Sequence, residues 1–246
     1  MSGHSKWSTI KRKKGAEDAK RGKIFTHLGR DITLAARHGG DPNANSALRM
    51  AIDKAKMANM PKDNIERATK RGTGELEGGT LDEVTYESYA PHGVAVLIKC
   101  LTDNRNRTLA DVRRTLNRCG GNMAEAGAVA WMFESKGIIT IERGGKDADD
   151  LFMKAVEAGA EDVDVSGDYV EVYTAAADLH AVREVLERQG LSVEDAELSM
   201  VPKTLMSLQE KETLQILRLL EQMEELDDVQ QVYSNLDIPE EILAAA

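Results

Sequence analysis

Eight Lys or Arg side chains, Lys6, Lys11, Arg12, Lys13, Lys14, Lys20, Arg21 and Lys23, fall within GHSKWSTIKRKKGAEDAKRGK, against two carboxylates and one tryptophan, Trp7. Such a run does one kind of chemistry well. Ammonium and guanidinium groups displace the counterions condensed on a polyphosphate, and an indole among them can stack on an unpaired base. With about six phosphates neutralised, log affinity would fall against log salt with a slope of about −5, roughly a thousandfold between about 50 and 200 mM. A solvated tail would carry the same charges but has little use for an indole. The alternative for Trp7 is to fold back and anchor the segment, which leaves the cations available.

A second basic set, Lys62, Arg67, Lys70 and Arg71, follows in a helical pattern and extends the positive surface unless it is only a solvated face. A third candidate is TDNRNRT, residues 102–108, between an apolar strand and a helix. Asp103, Asn104 or Asn106 can cap the helix, and capping needs one of them. Arg105 and Arg107 beside the freed amides would make an anion site. GGNMAEAG, residues 120–127, reads as a chain turn, and the carboxylates near 224–228 as a solvated helix end rather than a Mg²⁺ set.

Catalysis finds no support. His4, His27, His38, His92 and His180 are scattered without metal-ligand spacing, and no phosphate-binding GxxxxGK[ST] or nucleophile GxSxG occurs. No metal, cofactor or small-molecule substrate is expected. Cys100 and Cys119, without paired spacing, are expected as core thiols in a reducing compartment, and no apolar run approaches the roughly 18 to 20 residues of a membrane span. The protein is read as cytoplasmic, with no membrane partner.

The charge is polarised. The 246 residues carry a net −10, yet residues 1–75 hold 17 cations against 8 carboxylates, a formal +9, so the rest must carry −19. That asymmetry marks an interacting basic region.

The elements that must position these residues follow from periodicity. Ile24, Leu28, Ile32 and Ala35 predict a helix over 17–38, stopped at Gly39-Gly40, with Asp41-Pro42 opening a second helix and Pro61 a third. RGTGELEGGT reads as a linker. Strands EVTYESYA and GVAVLIKCLT, a helix through Leu109, Val112 and Leu116, and strand AVAWMFE come next. From Gly137 the order β-α-β-β-α-β is ferredoxin-like. A Leu-rich helix from Leu208 and strand VQQVYSNL end the chain. The expected class is α+β: a helical domain over 1–78, a discontinuous α/β domain over 79–135 and 203–246, and a ferredoxin-like domain, 136–202, inserted into it.

The segments GHSKWSTIKRKKGAEDAKRGKIF, NMPKDNIERATKRGTG, YESYAPHGVA, TDNRNRT and GGNMAEAGAVAWMF, in that order, closely resemble the YebC family across essentially the whole length. The resemblance implies a three-domain fold, one helical and two α/β. It also implies a probable transcriptional regulator that binds DNA. Mitochondrial relatives are described as activating translation of a cytochrome oxidase subunit, and some bacterial members as ribosome-associated factors that relieve stalling. Carried over by motif, Lys6, Trp7, Lys11, Lys14, Lys23, Asn104, Arg105, Asn106 and Arg107 are the surfaces to test.

The expected function is therefore a non-enzymatic nucleic-acid-binding regulator of gene expression, on DNA or on ribosomal RNA with the ribosome as partner. An adaptor that binds proteins through its acidic domains is the rival.

Overall fold

Leu28, Ile32 and Ala36 recur every four residues and are buried along one side of α1 (Asp18–Ala36), the helix that opens the described part of the chain. The computed structural model describes residues 18–76, 81–166, 169–239 and 242. The stripe on α1 meets Leu48 and Ala55 of α2 (Ser46–Met57) and Ile65 and Ala68 of α3 (Lys62–Gly72), closing a small core with Met60.

Gly72 lets α1 and α3 cross closely. A Cβ there would stand 2.3 Å from the Thr33 carbonyl oxygen and 2.6 Å from the Ala36 Cβ, where no side-chain atom fits. The Thr33 hydroxyl fills the same junction, 2.8 Å from the Gly29 carbonyl oxygen and 3.1 Å from that of Ala68.

The start of α2 differs from expectation. Asp41 accepts from the amide of Asn43, which makes a local turn, and Asn45 is the cap, accepting from Leu48 N at 3.0 Å. Its amide nitrogen also donates to the Ala35 and Gly39 carbonyls, both at 2.8 Å. Asn45 wins because one side chain satisfies orphan groups of two helices.

Strands β1 (Asp82–Tyr89) and β2 (Ala95–Thr102) form an antiparallel hairpin through the Pro-His-Gly turn, with His92 at φ 64° and Gly93 at φ 84°. Helix α4 (Arg105–Arg118) and the short β3 (Asn122–Met123) follow. Much later come β8 (Met206–Ser207), α7 (Glu210–Glu224), β9 (Val229–Ser234) and β10 (Leu236–Asp237), and β9 pairs antiparallel with β2. The sheet order is β3-β1-β2-β9, so the chain's last long strand closes a sheet begun at Asp82. Val96, Ile98 and Cys100 of β2, Val112 and Leu116 of α4, and Ile216, Leu219, Leu220 and Met223 of α7 share one buried cluster.

The intervening residues make a separate compact unit, Trp131–Leu205, while the described residues before it and from Met206 onward group together. Its strands are β4 (Phe133–Glu142), β5 (Asp162–Ser166), β6 (Tyr169–Ala175) and β7 (Val193–Pro202), in the antiparallel order β5-β6-β4-β7 of a ferredoxin-like sheet. Helix α5 (Ala148–Ala158) packs on β5 and on α6 (Leu179–Arg188), which covers β4, β6 and β7. The fold is thus α+β, with the ferredoxin-like part inserted. AVAWMFE is not a strand of its own: a single helical turn occupies Ala130–Met132, and β4 runs unbroken from Phe133 through Gly137. A glycine stands mid-strand there because a Cβ would lie 2.3 Å from the Thr174 hydroxyl and 2.8 Å from Leu179 Cβ.

Gly72→Ala should destabilise the helical region by about 1–3 kcal/mol in denaturant unfolding, since the crossing must open. Gly22→Ala, on α1 with nothing within 4 Å of the new methyl, should stabilise by about 0.5–1 kcal/mol. Equal effects at both sites would contradict the close approach.

Candidate nucleic-acid interface

On α3 the apolar pair Ile65 and Ala68 faces the core, so helical geometry sends Arg67, Lys70 and Arg71 outward. Spaced i, i+3 and i+4, they form one patch. All three are exposed, and among the described residues none has an ion-pair partner. Lys62, one turn earlier, reaches Glu66 at 3.5 Å, but with 87 % of its side chain exposed the pair contributes little.

Lys6, Trp7, Lys11, Arg12, Lys13 and Lys14 lie outside the described residues, as do the side chains of Lys20 and Arg21, whose backbone forms the first turn of α1. Lys23 stands one turn further along, half-buried. His27 follows. Burial first, then Lys23 and Arg30, hold its imidazole down at about 4, so it is neutral near pH 7.

The TDNRNRT loop is organised differently from the α3 patch. Asn104 caps α4, accepting from Arg107 N at 3.1 Å, and its own amide donates to the Thr102 hydroxyl at 2.9 Å. Arg105 pairs with Asp82 at 2.9 Å on the surface, and Asn106 is exposed. Arg107 places Nη2 2.8 Å from both Asp103 Oδ1 and Asp228 Oδ2. The anion gathered at this helix start is the chain's own carboxylate.

Asp228, 6 % exposed, sits at the entry to β9 where four donors converge. Its Oδ2 accepts from the hydroxyls of Thr108 at 2.8 Å and Thr102 at 3.2 Å as well as from Arg107, and its Oδ1 meets Arg30 Nη2 of α1 at 3.2 Å. Burial alone would raise the carboxyl; the bonds from Arg107 and Thr108 and the two guanidinium charges overcome it and hold the group below the usual carboxylate range. Arg107 is raised in turn, chiefly by its bonds to Asp228 and Asp103.

The contact also joins elements. Arg30 donates to the Asp227 carbonyl, Gln230 of β9 donates to Asp31 at 3.0 Å, and Arg37 donates to the Leu81 carbonyl, so the helical core is fastened to the sheet. The reading of the carboxylates near 228 as a solvated helix end is corrected here, because Asp228 is buried and fully bonded. Only its position at the mouth of an apolar strand hints at this in the sequence.

Glu87 of β1 is a second buried carboxylate missed at the level of sequence. It accepts from the backbone amides of Gly127, Val129 and Ala130 at 2.6, 2.7 and 2.8 Å. Burial opposes its ionisation, and these three bonds hold its pKa below the ordinary value. GGNMAEAG and the residues after it are therefore wrapped around Glu87. Cys119 also departs from expectation: it ends α4 half-exposed, whereas Cys100 is a core thiol pushed up by burial to about 12. Among the described residues no group of His, Cys, Asp or Glu could hold a metal, and no helix is long and apolar enough to cross a membrane.

Residues 5–75 match the profile of the TACO1/YebC protein N-terminal domain and residues 81–236 that of the TACO1/YebC second and third domain. The chain belongs to the TACO1/YebC family. It is 54 % identical over 244 residues to a probable transcriptional regulatory protein of Dehalococcoides mccartyi, covering 99 % of this chain and 97 % of that protein. A protein of the same description from Geobacter sulfurreducens is 55 % identical over 242 residues, 98 % of each chain. The crystal structure of a conserved hypothetical protein from Aquifex aeolicus superimposes with TM-score 0.86 at 46 % identity, covering 92 % of this chain and 94 % of that one. The TACO1/YebC fold is thus matched over nearly the whole chain.

Asp228→Asn should cost about 2 kcal/mol in denaturant unfolding near neutral pH, because two guanidinium groups lose their anion. With its folded-state pKa below the ordinary 3.8, Asp228 stabilises the fold above that value, and the stabilisation is lost as pH falls through the folded-state pKa. The Asn variant should therefore lose stability less steeply in acid, as denaturant midpoints at successive pH values would register.

Proposed function

We propose that this protein is a non-enzymatic nucleic-acid-binding regulator of gene expression that grips phosphate with its basic N-terminal region. The observation that carries the reading is the exposed Arg67, Lys70 and Arg71 patch, whose three cations have no ion-pair partner among the described residues. Such a patch, in a chain whose sequence also carries the basic run of residues 6–23, supplies the electrostatic footprint of a polyanion binder. The relatives' description as probable transcriptional regulatory proteins supports DNA as the target and transcription as the process regulated.

A second reading, binding to ribosomal RNA with an effect on translation, is favoured by the layout of α3. Helices that read the major groove present their N-terminal residues to base edges. Here that half carries Asp63 and Glu66 beside Lys62, which pairs with Glu66, and the cations without an ion-pair partner lie toward the C-terminus. That arrangement suits backbone and shape recognition, as in folded RNA.

Replacing Arg67, Lys70 and Arg71 with Glu should leave the melting temperature nearly unchanged. It should make the log affinity against log salt slope for polynucleotide shallower by about 2 to 3. Unaltered binding would refute the reading and favour a protein adaptor. For the target, lysate sedimented through sucrose at low and high salt should show salt-sensitive migration with ribosomes if RNA is bound. Promoter-specific retention without such migration would decide for DNA.

A further inference from the structure

Beyond the N-terminal region, three cations also gather in one place between α4 and α7, although the residues after 75 carry −19 overall. The two helices pack side by side over the sheet and leave an open trough of about 420 Å³ between them. Arg118 and Cys119 line it from the end of α4, and Lys211, Leu214, Gln215, Arg218 and Gln222 from α7. Among the described residues no carboxylate lines it. Arg118 donates to the Gln222 side-chain oxygen at 2.7 Å, and neither Lys211 nor Arg218 has an ion-pair partner among the described residues. Of the acids on the two helices, Glu212 pairs with His92 at 3.4 Å and Asp111 with Arg114, while Glu210 and Glu221 of α7 are not among the lining residues.

We infer that this trough is a second contact for the phosphate backbone of a nucleic acid, separate from the N-terminal basic region and acting with it. The inference rests on the proposed function in taking polynucleotide as the ligand. Lys211 and Arg218, seven residues apart on one helix, space their charges by about 10 Å along its axis, with Arg118 across from them, so the trough offers a line of cations rather than one point. Guanidinium groups and glutamine amides are the donors that phosphate oxygens take.

An acidic peptide is the competing occupant, and the apolar content disfavours it. A helix docking in a groove needs several apolar anchors. Leu219 is fully buried and Leu214 is only 38 % exposed, which leaves one partial anchor.

The test uses the full chain and two nucleic-acid probes, a fluorescein-labelled oligouridylate of about 30 nucleotides and a duplex DNA of equal length, titrated across a salt series, with a labelled polyglutamate peptide as the acidic-peptide control. Arg118→Glu with Arg218→Glu should weaken the better-bound probe about tenfold or more at about 100 mM salt and make its slope shallower by about 1.5. The neutral pair Lys211→Gln with Arg218→Gln should give a smaller change in the same direction. Both changes are on exposed side chains, and an unchanged melting temperature checks that folding is intact.

Cys119 supplies a footprint, since bound polynucleotide should slow its alkylation while Cys100 stays buried in either state. If the wild type and the α3 patch variant behave as proposed above but the trough variant binds and titrates like wild type, this inference falls and the proposed function stands. If the wild type binds neither probe, both fall. If the trough variant instead loses only the binding of a polyglutamate peptide, the trough is a protein-docking surface and the inference is overturned.

Discussion

One buried carboxylate holds the N-terminal helices to the sheet that follows them. Asp228 lies at the root of β9, and the groups it satisfies come from α1 (Arg30), from the end of β2 (Thr102) and from α4 (Arg107, Thr108). An ion removed from water is stabilising only if its remaining lone pairs are met, and here hydroxyls and guanidinium groups meet them on both oxygens. The elements must therefore come together as a set. This constraint also explains why Arg107, though exposed on one side, is a tie within the molecule, while the cations of α3 are left to face outward.

The division of labour among arginines follows from where carboxylates are placed. Arg105, Arg107 and Arg114 each have an ion-pair partner, whereas Arg67, Arg71 and Arg218 have none among the described residues. Net charge obscures this. A domain whose sum is negative can still present a local surface of the opposite sign, because Lys211 and Arg218 of α7 and Arg118 of α4 line the trough while the glutamates of α7 do not.

Much of the fold was legible in the residue pattern because its signals are local. The four-residue spacing in α1, the Pro-His-Gly turn and the β-α-β-β-α-β order each depend on neighbours in the chain. What escaped depends on distance. Asn45 outcompetes Asp41 as a cap through bonds to Ala35 at the end of the preceding helix and to Gly39 just after it, and a glycine stands mid-strand at 137 because Thr174 of β6 and Leu179 of α6 leave no room for a Cβ. Asp228 and Arg107 are 121 positions apart, and no window of sequence contains both. The same holds for the trough: Arg118 and Arg218 become neighbours only when α4 and α7 lie together. At the proposed interface, residue types showed where cations are dense, and tertiary structure decided which of them already have a partner.

The order of strands β3-β1-β2-β9 has a consequence for biosynthesis. While the ribosome is still translating, β2 emerges with one side unpaired and stays so until residues 229–234 follow more than a hundred codons later. The stretch from 131 to 205 has all its strands to hand and can mature first on the nascent chain. Until translation nears its end, the hydrophobic β2 is an open template for strand addition by another polypeptide. The most aggregation-prone moment in this protein's life thus falls before its release, when chaperone cover matters most.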